Sequence, residues 1–300
     1  LKSSSHTEVN AFDRPIIVLA SPRSGSTLFY ETLGKAKDLW TVGGESHAII
    51  EEIPEFSTIY NGSISNELTE NDGTTRAIEV LRERFQQQLR DSNNQAYDEQ
   101  QLKPIRFLEK TPKNSLRIRF LNKVFPDAIF VHLIRDPKDN ISSIIEGWRS
   151  GHFITYPHLP GFNNQWSYLL PPKWEALKGK PVEEIATFQW QTANQAIIND
   201  LKHIPENRQY TINYQDFLDN TGAVISKLCH FIGIEFDPEL QQYCNKPLPY
   251  SQYTLTKPKA DKWQKNKALL APHMPQLTPL INQLNANLTN FSDYQVDNII

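Results

Sequence analysis

Cysteine is nearly missing from this chain: Cys229 and Cys244 are the only two in 300 residues. Two thiols build neither a disulfide framework nor a cysteine-rich metal site, and their scarcity reads as a reducing, cytoplasmic setting. Long hydrophobic runs are missing as well. None approaches the roughly 18–20 residues that cross a bilayer, and no charged-then-apolar leader marks a signal peptide, so no membrane partner is expected. A basic excess is also absent: the formal net charge is −3, which argues against a nucleic-acid partner. The chain opens on Leu1-Lys2-Ser3-Ser4-Ser5-His6 with no initiator methionine, so residues 1–13 read as the polar leader of an excised domain.

Aromatic residues make up 11% and apolar residues 39% of the chain, enough for one sizeable core. Pro15 to Ala20 and Ala128 to Ile134 are near-continuous apolar runs, the pattern of strands buried on both faces. Ile78, Leu81, Phe85 and Leu89 recur at helical spacing, which predicts a helix over 74–89. Further helices are expected over 28–37, 115–124, 137–148, 181–201 and 221–232, and strands over 106–108 and 209–214. In the proline-dotted tail only 276–288 reads as helix. Strands alternating with helices predict an α/β fold, a parallel β-sheet flanked by helices. One domain over 1–300 is expected. Residues 150–181, rich in proline, glycine and aromatics, form a lid-like substrate loop within it.

The most informative stretch is Pro22-Arg23-Ser24-Gly25-Ser26-Thr27, set between a strand and a helix. This P-loop-type arrangement aims backbone N–H groups and a helix N-terminus at a phosphate. Gly25 lets the backbone approach the anion, Ser26 and Thr27 bring hydroxyls that can cap the helix, and Arg23 adds a fork that matches an oxyanion. Ala20 and Ser26 stand where the ATPase pattern needs glycine and lysine, so a triphosphate is not the expected ligand. A second strand–helix junction reads Ile134-Arg135-Asp136-Pro137-Lys138-Asp139-Asn140-Ile141-Ser142-Ser143. Arg135 leaves the carboxyl end of the strand, and Ser143 follows about two helical turns later. Ligands of open α/β sheets collect at that end, so the pair is a candidate for a second phosphate.

The two segments together resemble the sulfotransferases that use 3′-phosphoadenosine 5′-phosphosulfate (PAPS) and release adenosine 3′,5′-bisphosphate (PAP). The resemblance extends over about residues 14–265 and implies no metal. It implies that Arg23, Ser24, Gly25, Ser26 and Thr27 hold the 5′-phosphosulfate, and that Arg135 and Ser143 hold the 3′-phosphate. Glu45, in Gly43-Gly44-Glu45-Ser46-His47, is similar to the catalytic base of the tyrosylprotein branch, and His47 is the rival base. Lys110, in Glu109-Lys110-Thr111-Pro112, resembles the lysine that contacts the bridging oxygen of the leaving phosphate. Tyr214 resembles a residue near adenine, and Lys257, Lys259 and Trp263 resemble the late basic loop over the 3′-phosphate.

The reaction so implied is an in-line sulfuryl transfer to an acceptor hydroxyl, governed by positioning and electrostatics. The Gly-Glu-Ser segment and the Asn/Gln-rich composition also look similar to cyanobacterial sulfotransferase domains of polyketide synthases. That likeness implies a β-hydroxyacyl acceptor on an acyl carrier protein, sulfated before decarboxylative chain termination. An acidic carrier asks for a basic rim, for which Arg82, Arg84, Arg117 and Arg119 are the candidates. The aromatics of 146–174 suit either a lid over an apolar substrate or a loop packed on itself. A kinase-like P-loop phosphotransferase and a non-catalytic adenosine-nucleotide-binding module share the topology and remain the alternatives.

Overall fold

The computed structural model describes residues 12–98, 104–163, 165–251, 253–255 and 261–297. Five strands form its central sheet: β1 (Ile16–Leu19), β2 (Leu39–Trp40), β3 (Arg106–Lys110), β4 (Ile129–Ile134) and β7 (Gln209–Asn213). Between the last two lies a hairpin of β5 (Ile154–Tyr156) and β6 (Trp166–Ser167). The sheet order is β2–β3–β1–β4–β7, with every pairing parallel. β1 is central, with Ile16 opposite Leu108 on one side and Ile129 on the other. The chain leaves β1 in one direction and later returns to its other edge, which creates a switch point at the strands' carboxyl ends.

Around the sheet run α1 (Ser26–Leu33), α2 (His47–Glu51), α3 (Thr75–Gln88), α4 (Ile118–Val124), α5 (Pro137–Ser150) and α6 (Val182–Leu201). After them come α7 (Tyr214–Asp219), α8 (Thr221–Ile232), α9 (Pro238–Cys244), α10 (Lys267–Leu270) and α11 (Met274–Leu288). The period-2 alternation of the strands decides which layer each side chain joins. Ile17, Leu19, Phe107 and Phe130 enter one core with Ile49 and Ile50 of α2 and Leu81 and Phe85 of α3. Ile16, Val18, Leu108, Ile129 and Val131 enter the other, with Phe29 of α1 and Ile225 and Leu228 of α8.

Several boundaries differ from the sequence expectation. α1 starts at Ser26 and stops at Leu33, where the Gly34 N–H turns back to the Tyr30 carbonyl at 2.8 Å. β2 and α2 are too short to carry a period and were not foreseen. Nor were α9, α10 and a 3-10 turn over 262–266 in the proline-dotted tail. β7 ends at Asn213, whose side chain accepts hydrogen bonds from the Gln215 and Asp216 N–H groups, so Tyr214 opens a helix instead of ending a strand. The segment 150–181 packs largely on its own aromatics. Trp166 sits edge-on to Trp148, Phe162 and Trp174 at 4.8–5.9 Å, above Tyr156 and Leu177. Phe153 and Tyr168 turn the other way, toward the switch point. Tyr168 takes a positive φ of 67°, and its hydroxyl occupies space that any side chain at Gly147 would collide with.

One buried titratable group gives the fold a pH signature. His132 on β4 is wholly buried beside Asn194, and burial pushes its imidazole down from 6.5 to about 4. The folded state therefore binds fewer protons than the unfolded chain between those values. This contribution to stability is complete above about pH 6.5 and is lost as pH falls toward 4. Urea unfolding across that interval is expected to show a midpoint that declines as pH falls in the wild type, and a His132→Gln variant is expected to lack this part of the slope.

Candidate active site

The loop after β1 places unusual backbone at the switch point. Arg23 and Gly25 take positive φ values of 63° and 89°. Gly25 occupies the cap position of α1 with no side-chain capping bond, so Ser26 and Thr27 do not cap the helix as expected. Glycine is required at residue 25 twice over. The left-handed backbone disfavours a Cβ, and any Cβ would collide with the Tyr214 ring. Ser24 is fully buried, and neither its Oγ nor Arg23 Nε has a hydrogen-bond partner among the described residues. Buried, unpaired donors beside a helix N-terminus fit an oxyanion.

Arg135, at the end of β4, reaches back to this loop. Its guanidinium donates to the Arg23 carbonyl at 3.0 Å and stands 5.3 Å from the Tyr214 ring. Arg23 donates to the Tyr253 carbonyl at 2.9 Å and lies 4.6 Å from the Phe153 ring. Burial lowers the Arg23 pKa, and the neighbouring positive charge of Arg135 adds to that effect. Two guanidiniums held this close attract a ligand carrying negative charge.

A cavity of about 1340 Å³ opens over the loop. Its wall brings together Arg23, Gly25, Ser26, Thr27, Arg135, Ser143, Tyr214 and Trp263 from the sequence-derived set, with Glu45 on the same wall. Ser24, His47 and Lys110 are not part of that wall but sit next to residues that are. Lys257 and Lys259 lie outside the described residues. Lys262 and Lys265 also line the cavity, and the sequence reading passed over them because a run of charges looks like a solvated surface. Burial lowers the Lys262 pKa, and the charges of Lys265 and Arg135 push the same way.

The second cluster is built on the end of β3. Lys110 is 2% exposed, and its Nζ donates to Thr27 Oγ1 at 3.0 Å and to Glu45 Oε1 at 2.6 Å. His47, the first residue of α2, bonds through Nε2 to Glu45 Oε2 at 2.7 Å. Burial alone would raise the Glu45 pKa. The His47 hydrogen bond and the Lys110 charge outweigh it and bring the carboxylate down to about 2.

The four arginines expected to form a basic rim do not form one. None lines the cavity. Arg82 donates to the Val124 carbonyl, Arg84 pairs with Glu52, and Arg119 pairs with Glu70. Arg117 is fully buried and binds Glu51 and the Asn66 carbonyl. Each of the four is thus already paired with a carboxylate or a backbone carbonyl. Among the described residues no helix is long and apolar enough to cross a membrane.

The fold is thus a parallel α/β sheet with buried, unpaired donors at its switch point and a lysine–carboxylate pair beside them. Residues 15–238 match the profile of the Sulfotransferase family, and the chain belongs to that family. The omega-hydroxy-beta-dihydromenaquinone-9 sulfotransferase Stf3 of Mycobacterium bovis and that of Mycobacterium tuberculosis are each 25% identical over 156 residues, covering 49% of this chain. The matched stretch spans only 35% of the length of those curated relatives. The sulfotransferase domain from the curacin biosynthetic pathway shares the fold with a TM-score of 0.50 at 20% identity, over 87% of this chain and 98% of that one. A sulfotransferase from Alicyclobacillus acidocaldarius shares it with a TM-score of 0.50 at 12% identity, over 91% and 95%.

The cradle geometry makes Gly25 a sharp test. Gly25→Ala forces both a strained backbone and a displaced Tyr214, a cost of about 1–3 kcal/mol. The variant is expected to melt at lower temperature and to bind PAP at least about tenfold more weakly in calorimetry, 1.4 kcal/mol being tenfold.

Proposed function

We propose that this protein transfers the sulfuryl group of PAPS to an acceptor hydroxyl. The observation that carries the reading is the position of Lys110, one buried ammonium bonded both to the phosphate-type loop at Thr27 and to the carboxylate of Glu45. It joins the site suited to an anionic donor to Glu45, a carboxylate on the cavity wall. PAPS supplies an activated sulfuryl group attached to a 5′-phosphate. Residues Arg23 to Thr27 would hold that end, Arg135 and Ser143 the 3′-phosphate, and Tyr214 and Trp263 the adenosine.

Glu45 is the base in this reading, since it faces the cavity while His47 stands behind it and fixes its second oxygen. Paired with Lys110, the carboxylate is too weak a base to take a hydroxyl proton. Movement of the Lys110 ammonium toward the loop frees Oε1 and restores its basicity. Proton removal is thereby coupled to charge developing at the loop, where Lys110, Arg23 and the backbone N–H groups offset it. The acceptor would meet the apolar side of the cavity at Phe153, Tyr168 and Tyr253. A β-hydroxyacyl chain on an acyl carrier protein is the specific acceptor proposed, supported by that aromatic wall and by the Gly43–His47 segment. Sulfation of a β-hydroxyacyl carrier protein in preference to free small hydroxyl compounds is expected, and the reverse preference rejects that acceptor.

Calorimetry with PAP, and with ATP plus Mg²⁺ as comparator, tests the donor. Wild type is expected to bind PAP in the micromolar range and ATP far more weakly, and Arg135→Ala to lose PAP. Equal affinity for ATP overturns the reading in favour of a kinase-like phosphotransferase. Glu45→Gln is expected to lower kcat by about 10²-fold or more with PAP affinity unchanged. Because the Glu45 carboxyl is held at about 2, its ionised form persists well below the usual carboxylate range and is lost only as pH approaches about 2. The rate profile between pH 5 and 8 is therefore expected to show no step from this group.

A further inference from the structure

Glu45 and His47 flank Ser46 at the entry to α2, where the Ile50 N–H donates to the Ser46 carbonyl at 3.2 Å. Gly43 and Gly44 precede it with open space where a side chain would be, and no regular element begins until α2. Ser46 itself is fully buried. Its N–H donates to Thr111 Oγ1 at 2.8 Å, and its hydroxyl donates to Glu109 Oε1 at 2.6 Å and lies 3.1 Å from Thr111 Oγ1. Asn114 Nδ2 donates to the same Glu109 oxygen at 2.8 Å. Glu109, Thr111 and Asn114 are each at most 1% exposed.

Strand geometry explains the arrangement. Successive side chains of β3 point to opposite faces, so Lys110 turns to Glu45 and Thr27 while Glu109 turns to Ser46. The end of β3 thus grips the segment 45–47 from both sides. At the far end of α2, Glu51 accepts hydrogen bonds from Lys113 at 2.8 Å and Arg117 at 2.7 Å. The peptide carrying the base is tied by polar contacts to the residues that follow β3.

We propose that Glu109, Ser46 and Thr111 form a buried positioning clasp that sets Glu45 and His47 against Lys110 for the transfer step. None of the three lines the cavity, so they act through Glu45 and not on the substrate. The inference rests on the reading of Glu45 and Lys110 given above. Burial raises the Glu109 pKa, against the pull of its hydrogen bonds and of Lys110. Its second oxygen has no hydrogen-bond partner among the described residues. Burying a carboxyl group is costly unless it is hydrogen-bonded, and Ser46 and Asn114 supply the hydrogen bonds to its first oxygen.

The test compares Ser46→Ala, Thr111→Val and the conservative Thr111→Ser. Sulfuryl transfer from PAPS to a β-hydroxyacyl carrier protein is measured beside PAP calorimetry and hydrogen exchange of the segment 43–47. Ser46→Ala and Thr111→Val are expected to lower kcat about tenfold or more, because small misplacement of a reacting group costs that much. PAP affinity is expected to stay within about twofold of the wild type, set against that tenfold loss of rate. Thr111→Ser restores the rate, and exchange of the segment speeds up only in the first two variants. Placed on Glu45→Gln, Ser46→Ala is expected to cause little further loss, since the two changes act through one group. An unchanged kcat in Ser46→Ala overturns the clasp. So does a loss of rate accompanied by equal losses of PAP affinity and melting temperature. If wild type binds PAP but sulfates no hydroxyl, the transfer reading fails by itself. The exchange arm then decides the clasp: faster exchange in Ser46→Ala supports it, and unchanged exchange overturns it.

Discussion

The buried ammonium of Lys110 is the contact on which the site depends. It links three separate stretches of chain: the loop after β1 through Thr27, its own strand β3, and the segment carrying Glu45. A charge this deeply buried is tolerated only with a close partner of opposite sign and good hydrogen bonds. Glu45 supplies the charge and Thr27 the second acceptor. The same pairing holds the Glu45 carboxylate far below its usual pKa.

Around that contact the protein keeps backbone that no isolated segment would choose. Arg23 and Tyr168 are non-glycine residues with positive φ, each costing on the order of 1–3 kcal/mol. Both are held by neighbours in the finished fold. Arg23 is fixed by the Tyr253 carbonyl and the Phe153 ring. Tyr168 stacks on Phe153 at 5.2 Å and uses the room left by Gly147. The hairpin of β5 and β6 packs beside them through Trp166, which meets Trp148 of α5 and Trp174 edge-on. The cavity wall is in part assembled by residues beyond 238, where the family match ends. Lys262, Trp263 and Lys265 come from that region and bring the added positive charge.

Much was legible in the sequence because it rests on local rules. The apolar runs of β1 and β4 identified buried parallel strands, and the proline at the start of α5 identified the second strand–helix junction. The glycine-containing turn after β1 drew attention by its residue types, while Glu45 and Lys110 were singled out by family resemblance. These signals are short-range: side-chain period, turn chemistry and the composition of a strand–helix junction. The elements that escaped, β2, α2 and α10, are too short to show a period. Their existence depends on what they dock against.

What only the tertiary structure decided concerns partners. In one dimension Arg82, Arg84, Arg117 and Arg119 look like a basic surface, and the fold turns all four toward carboxylates or carbonyls instead. Tyr214 looks like the end of a strand, and Asn213 turns it into the start of a helix whose ring fills the space beside Gly25. Glu109 and Ser46 were given no role of their own in the sequence, yet they meet because β3 and the segment before α2 lie side by side. By itself the sequence determined the class of fold and the unusual loop after β1, and its family resemblance pointed to Lys110 and Glu45. Their pairing, their burial and the contacts of Ser46 with Glu109 depend on distances between residues far apart in the chain, and those exist only once the sheet has formed.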